Sequence, residues 1–417
     1  MGVPELQIQE NVPLAPMTTF RVGGAARYLI PVDTEAQIPG AWQFAQKKNL
    51  PLFVLGGGSN LMVSDDGFPG VVLHMKLRGL EVLQASPQAV EVGVAAGEDW
   101  DGFVAQCVAR GWWGVENLSG IPGTTGAVPV QNVGAYGQEV ADTIVRVEAW
   151  DTRDRSWASL PAGECAFGYR CSIFNTAHAG RYVVSRVVFR LPRQGRANTT
   201  HAAVARLLEH RATGGWSRLR RGLARRVPAC RPLLDRLQKP PTLTQMRACI
   251  LALRSDGRLP DFRITGNAGS FFKNIVLAES AFARLLSRLS ETGGADAVCR
   301  LEAGLRGYAT ATGVKIPAGE LVKWCGLQDA REGGAGLHPA NPVILVNATG
   351  TARAADIIRL AARLIRTVWE RTGVRLEPEP SFLGFSAADL ATLDPRLPGG
   401  PPGETAHPSG PGEGDHA

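Results

Sequence analysis

The apolar run Leu52-Phe-Val-Leu55 is followed at once by Gly56, Gly57 and Gly58, then Ser59 and Asn60. Three glycines in succession neither prolong a strand nor start a helix. Lacking Cβ atoms, they let the backbone approach a ligand closely and aim successive N–H groups at an anion. Taken alone, the string also fits a plain turn. Its spacing is not G-x-G-x-x-G and no lysine follows the last glycine, so nicotinamide-Rossmann and P-loop architectures lose support.

A second glycine-rich stretch runs Ser119-Gly120-Ile121-Pro122-Gly123-Thr124-Thr125-Gly126, and Gln131-Asn132-Val133-Gly134-Ala135-Tyr136-Gly137 follows it. Here composition enters: glycine accounts for 49 of 417 residues, about 12% against a usual value near 7%. Two such loops in one lobe, with hydroxyl and amide donors, suit a long ligand carrying phosphates. A flavin dinucleotide has that length and charge, although composition does not name it.

Around these loops, residues 18–193 alternate short strands and helices. Arg27–Pro31, Leu52–Leu55, Val71–His74, Ala89–Val94 and Tyr182–Phe189 read as strands, while Thr34–Lys48 and Trp100–Arg110 have helical spacing. A different texture occupies 194–241. Between Arg206 and Lys239 stand ten Lys or Arg against Glu209 and Asp235, so the net charge of +7 resides in this arm and the remainder is close to neutral. Regular patterning resumes with a capped helix at Thr244–Leu253, a glycine-rich strand-turn at 264–275, a buried strand at Pro342–Asn347 and a long helix at Ala354–Thr372. The last 33 residues, 385–417, are rich in Gly and Pro and are expected to be disordered. The length suits about three domains or lobes of an α+β or α/β chain.

Seven cysteines without metal spacing read as reduced thiols, and no metal site is expected. The longest charge-free stretch, Asn117–Gln138, is too rich in Gly, Pro, Asn and Thr for a lipid-facing helix. No signal peptide or myristoylation signal is read at the N-terminus, so a cytoplasmic protein is expected.

Three further strings carry chemistry. In Phe167-Gly168-Tyr169-Arg170-Cys171-Ser172, an arginine among aromatic and small residues suits bidentate binding of a carboxylate, or a surface salt bridge. In Gly266-Asn-Ala-Gly-Ser270-Phe271-Phe272-Lys273-Asn274, glycines open the backbone around Ser270 and two aromatics behind it exclude water; a turn or helix cap is the alternative. No G-x-S-x-G elbow occurs, which weighs against a hydrolase. In Leu376-Glu377-Pro378-Glu379, a proline between two carboxylates fixes their directions.

Taken together and in this order, these strings resemble the UDP-N-acetylenolpyruvoylglucosamine reductase family, from about Thr18-Thr-Phe-Arg21 to Phe382-Leu-Gly384. The resemblance implies an α+β fold: a two-lobed FAD-binding domain of the vanillyl-alcohol-oxidase (PCMH) type plus a C-terminal α+β substrate domain. It assigns 1–193 to the flavin domain, 194–241 to a basic linking arm, 242–384 to the substrate domain and 385–417 to a disordered tail. FAD would lie in a cradle of Gly56, Gly57, Gly58, Ser59, Asn60, Ser119, Gly120, Pro122, Gly123, Thr124 and Gly126. NADPH would reduce the flavin, and hydride would pass from flavin N5 to the enolpyruvyl CH₂ carbon of a UDP-sugar, giving UDP-N-acetylmuramate for peptidoglycan.

Carried over by motif, Ser270 matches the serine that protonates C2. Arg170 and Glu379 match the pair that polarises the substrate carboxylate and stabilises the developing enolate. A carboxylate beside a carboxylate repels unless protonated, so Glu379 is expected to be neutral, with a raised pKa, when it acts. Tyr169, Asn274, Tyr308 and Asn341 fall at substrate contacts, and Arg258 stands where the family places a lysine on the diphosphate. The chain departs from the family in three places. Ile275 replaces a proline after Asn274, no tyrosine lies between Tyr182 and Tyr308 to cover the uridine, and the basic arm is long. Two other readings are another FAD oxidase or dehydrogenase of this fold, and an anionic-polymer binder acting through the arm. Aromatics are sparse in that arm, with Trp216 alone, so nucleic acid is not the expected partner.

Overall fold

A computed structural model of the chain describes residues 5–211, 240–293, 309–310 and 313–394. These divide into two compact units, the first formed by residues 5–12, 25–59, 68–211 and 240–258 and the second by residues 13–24, 60–67, 259–293, 309–310 and 313–394.

The first unit holds two sheets. β1 (Gln9–Pro13), β2 (Ala25–Val32), β3 (Leu52–Leu55) and β5 (Phe68–Met75) form a four-stranded sheet in the order β1-β2-β5-β3, while β4 (Leu61–Val63) belongs to the second unit. β2 and β3 both run parallel to β5. α1 (Gln37–Lys47) supplies the crossover between β2 and β3, as parallel strands require. The second sheet is antiparallel: β6 (Leu80–Ala85), β7 (Ala89–Ala95), β10 (Ile144–Asp151), β11 (Ser156–Pro161) and β12 (Tyr182–Pro192), in the order β11-β10-β12-β7-β6. Valine-rich β12 is buried at seven of its eleven positions because it lies mid-sheet. α2 (Trp100–Ala109) packs Trp100 and Phe103 against Phe189 of β12, with ring centroids 6.0 and 5.1 Å apart. The small hairpin of β8 (Gly134–Ala135) and β9 (Gln138–Glu139) turns through Tyr136 and Gly137, both at positive φ (50° and 84°).

α3 (Ala202–Arg211) and α4 (Leu243–Arg254) complete this unit. α4 starts with a capping box of Thr242 and Gln245 and buries Met246, Cys249 and Ile250 with Val204. The stretch 242–258, expected with the C-terminal domain, therefore falls within the first compact unit. Most of the basic arm, 212–239, lies outside the described residues.

The second unit joins three stretches of chain. β13 (Ile275–Leu277), β14 (Ala309–Thr310) and β15 (Gly313–Ile316) form one sheet; β16 (Arg331–Glu332), β17 (Ala335–His338) and β18 (Asn341–Asn347) form another. α5 (Glu279–Gly293), α6 (Ala318–Trp324) and α7 (Ala354–Thr372) cover them. α7 ends at Gly373, in left-handed conformation with φ 70°. β4 pairs in parallel with β19 (Ser381–Leu383), its partner from the far end of the chain. The Asp65 carboxylate caps α7 by accepting from the N–H groups of Ala354 and Ala355 at 2.9 and 3.0 Å.

The expected disorder of 385–417 is corrected over its first ten residues. Phe385 packs on the core of the second unit and Leu393 is buried there; between them α8 (Ala387–Ala391) has a capping box of Ser386 and Asp389. These apolar anchors hold the segment despite the composition that follows; residues 395–417 lie outside the described residues. The described cysteines, Cys107, Cys165, Cys171, Cys249 and Cys325, are free thiols. Among the described residues, no helix is long and apolar enough to cross a membrane.

Candidate functional site

β3 delivers the chain to Gly56 at the end of a parallel pairing, and the loop beyond it lies against the 119–126 stretch. The Ser59 hydroxyl donates to the Pro122 carbonyl at 3.0 Å. A Cβ placed on Gly57 would sit 2.7 Å from the Cα of Gly123, so a side chain at 57 would force the loops apart. Gly123 itself has φ 123°, outside the comfortable range of other residues. The Ser119 hydroxyl donates to Glu116 O at 2.6 Å. The donor protons of Ser59 and Ser119 are thus committed to the protein rather than available to a ligand. Backbone remains: among the described residues, the N–H groups of Gly57, Gly123 and Thr124 donate to no backbone carbonyl. Such amides, with no Cβ in front of them at the two glycines, fit the diphosphate of FAD.

Three side chains that the sequence reading did not single out hold the second loop. Gly120 donates its N–H to Asp101 Oδ1 at 2.6 Å and accepts at its carbonyl from Arg254 Nε at 2.9 Å. Arg247 grips Asp101 with both ends of its fork, at 2.6 and 2.9 Å. Burial pushes the Asp101 pKa up, but the hydrogen bonds from Arg247 and Gly120 outweigh it and hold the carboxyl below its ordinary value. Burial of Arg254 lowers its pKa, with Tyr136 and Asp101 opposing that effect. The available signal was the seven-residue spacing of Arg247 and Arg254, which puts both on one face of a helix.

Arg170 adopts a left-handed backbone, φ 57°, a conformation that costs about 1–3 kcal/mol in a non-glycine residue and gathers at functional sites. Its Nη2 donates to Gly134 O at 2.9 Å, and its guanidinium carbon lies 5.4 Å from the ring centre of Tyr169. The neighbouring chain is tied to the same loop. Asn132 Nδ2 donates to Gly168 O (3.0 Å) and to Glu139 Oε2 (2.8 Å), and Ser172 Oγ donates to Val130 O (2.7 Å). The 131–137 stretch, read as a ligand loop, is therefore the seat of the Arg170 segment. Tyr169 is exposed beside it.

In the second unit, Phe271 and Phe272 are buried at 0% and 1% exposure and anchor an otherwise glycine-rich segment. Gly269, at φ 72°, and exposed Ser270 precede them. Phe271 donates its N–H to Val343 O of β18, and its carbonyl accepts from Glu379 N, both at 2.8 Å. Lys273 N donates to Glu377 O at 2.9 Å, so 271–273 and 377–379 form a short antiparallel bridge. This brings Ser270 within one residue of the backbone that seats Glu379. Glu377 faces Lys273, with Nζ 3.9 Å from Oε2. The amide of Asn60 donates to Glu379 O at 3.2 Å, and Asn60 O accepts from Ser381 N at 3.0 Å.

Of the other expected substrate contacts, Asn274 Oδ1 accepts from Ala318 N at 3.2 Å and so helps to cap α6. Arg258, in the first unit, is 57% exposed in its side chain and ion-paired with Asp256, which raises its pKa. Asn341 opens β18, half-buried. Tyr308 lies outside the described residues.

The family model for an FAD binding domain matches residues 26–155, and that for the C-terminal domain of UDP-N-acetylenolpyruvoylglucosamine reductase matches residues 261–383. The chain is 38% identical over 380 residues to the UDP-N-acetylenolpyruvoylglucosamine reductase of Chromobacterium violaceum, covering 91% of this chain and 99% of that one. With the enzyme of the same name from Ralstonia nicotianae it shares 37% identity, over 89% of this chain and 98% of the relative. Among solved structures, the UDP-N-acetylenolpyruvylglucosamine reductase of Thermus caldophilus is similar in fold, with a TM-score of 0.57 and 24% identity over 91% of this chain and all of that one.

Proposed function

The chain belongs to the UDP-N-acetylenolpyruvoylglucosamine reductase family, and from that premise we propose how its residues perform the reaction. It is an FAD-dependent oxidoreductase that reduces the enolpyruvyl group of the UDP-sugar to give UDP-N-acetylmuramate, a peptidoglycan precursor. NADPH is the hydride donor in this reading, and the cytoplasm, where such nucleotide precursors are made, is its place. FAD, when bound, would supply the redox chemistry that links NADPH to the enolpyruvyl CH₂ carbon. Gly57, Gly123 and Thr124 hold its diphosphate through backbone N–H groups, and Asp101, Arg247 and Arg254 keep that loop in place.

Addition of hydride to the CH₂ carbon leaves negative charge at C2, delocalised into the adjacent carboxylate. Arg170, cantilevered from Gly134 on a strained backbone, offsets that charge with a planar guanidinium. Ser270 donates its hydroxyl proton to C2. Glu379, protonated when it acts, hydrogen-bonds the enolate-like oxygens. Tyr169, Arg258, Asn274, Tyr308 and Asn341 contact the sugar nucleotide, Arg258 at its diphosphate. The observation that carries this reading is the bridge that seats Glu379 on Phe271, next to exposed Ser270.

The test separates the half-reactions. Purified protein is expected to show a flavin band, bleached by NADPH without oxygen and restored by the enolpyruvyl UDP-sugar. Ser270→Ala is expected to bleach at the normal rate and to recover ~10²–10⁴-fold more slowly, as loss of a general acid requires. Equal slowing of both halves in stopped-flow absorbance would return Ser270 to a merely structural role.

A further inference from the structure

Asn60 closes the Gly-Gly-Gly-Ser-Asn string, and the family resemblance counts it with the cofactor loop. Its side chain has a different engagement: Nδ2 donates to the backbone carbonyl of Glu379 at 3.2 Å, across 319 residues of sequence. We propose that Asn60 is a positioning residue for Glu379, so that the last residue of the flavin loop sets the carboxyl that acts on the substrate. The inference rests on the reading of Glu379 given above.

The sequence around Glu379 makes such a hold consequential. Pro378 and Pro380 flank it and carry no N–H, so Glu379 supplies the only backbone donor of the three residues. Its N–H is taken by Phe271 O at 2.8 Å. The following proline keeps Glu379 in an extended conformation. The donation from Asn60 Nδ2 to the Glu379 carbonyl adds a side-chain hold on the tripeptide to the main-chain bond at its N–H. The main-chain bond from Ser381 N to Asn60 O, 3.0 Å, and the β4–β19 pairing hold the two segments in register independently of the Asn60 side chain. Removing the amide therefore loosens the carboxyl-bearing residue while leaving the frame.

The variants are Asn60→Leu, similar in size without a donor, and Asn60→Asp, whose carboxylate accepts only and faces a carbonyl. Both are expected to retain FAD and to be bleached by NADPH at the wild-type rate, with recovery by the enolpyruvyl UDP-sugar slowed on the order of 10- to 100-fold, the cost of misplacing a reacting group. Since Asn60 acts through Glu379, the double variant Asn60→Leu/Glu379→Gln is expected to recover no more slowly than Glu379→Gln alone. Normal recovery in both Asn60 variants beside slow recovery in Glu379→Gln overturns the inference and leaves the reading of Glu379 intact. Loss of FAD in both variants assigns the amide to the cofactor, and multiplicative slowing in the double variant gives it an independent role; either result overturns the inference. Wild-type recovery in Glu379→Gln removes Glu379 from the chemistry, and the inference falls with it.

Discussion

At the scale of single residues, the first unit turns on how Arg170 is presented. A guanidinium that donates to Gly134 O and lies over Tyr169 has little rotational freedom left, and its backbone stores strain in a left-handed turn. Lysine has the charge, but its three donors sit on one compact ammonium instead of a planar fork, so it does not span Gly134 O and a substrate carboxylate in the same way. Arg170→Lys is accordingly expected to keep FAD and lower turnover on the order of 10²-fold, the usual loss for one donor to developing charge. Steady-state kinetics on the flavin-loaded variant checks this; wild-type turnover would show that the arginine serves only the turn.

At the scale of elements, charged side chains fasten strand ends as well as loops. Asp151 ends β10, and Arg181, one residue before β12, donates to both its carboxyl oxygens, at 2.6–3.0 Å. The Asp151 side chain is 4% exposed, and Arg181 holds its pKa down at about 2. A depressed carboxyl pKa contributes stability that is complete above the unfolded value, near 4, and is lost as pH falls towards 2. Asp151→Asn is therefore expected to cost roughly 3 kcal/mol at pH 7, the low end for breaking a buried pair. The difference in Tm between variant and wild type should shrink between pH 4 and pH 2.

Elements of this kind differ in how far the sequence announces them. α7 was legible to the residue, because its apolar stripe runs unbroken from Ala354 and stops at Gly373. The glycine loops, Ser270 and Glu379 were legible as strings. β4 was not: three residues carry no period, and its partner lies 320 positions away. The polar grips escaped for a related reason. Asn60, Asp101 and Asn132 each act on the backbone of a distant segment, and residue type alone does not disclose a backbone N–H or carbonyl brought there by folding. In α8 the error was one of averaging, since the Gly and Pro of the far tail hid Phe385 and Leu393.

At the scale of the whole molecule, the arm at 212–239 bears much of the excess positive charge and none of the residues assigned a role. Replacing 212–238 by a short Gly/Ser linker is expected to leave flavin content and turnover nearly unchanged, because α4 and its two arginines start beyond it. Absorbance of the bound flavin and steady-state assay decide the matter; loss of FAD would make the arm part of the scaffold.

The pairing of β4 with β19 also dictates the order of events during synthesis. A ribosome adding about 5–20 residues per second needs roughly 15–65 s to travel from Leu61 to Ser381. For that interval Leu61, Met62 and Val63, all buried in the finished protein, have no edge to lie against. The nascent chain must therefore carry an open apolar strand through most of its translation, a natural target for a holding chaperone. A stop codon placed just before Ser381 would make that exposure permanent, and the released chain would be expected in the insoluble fraction.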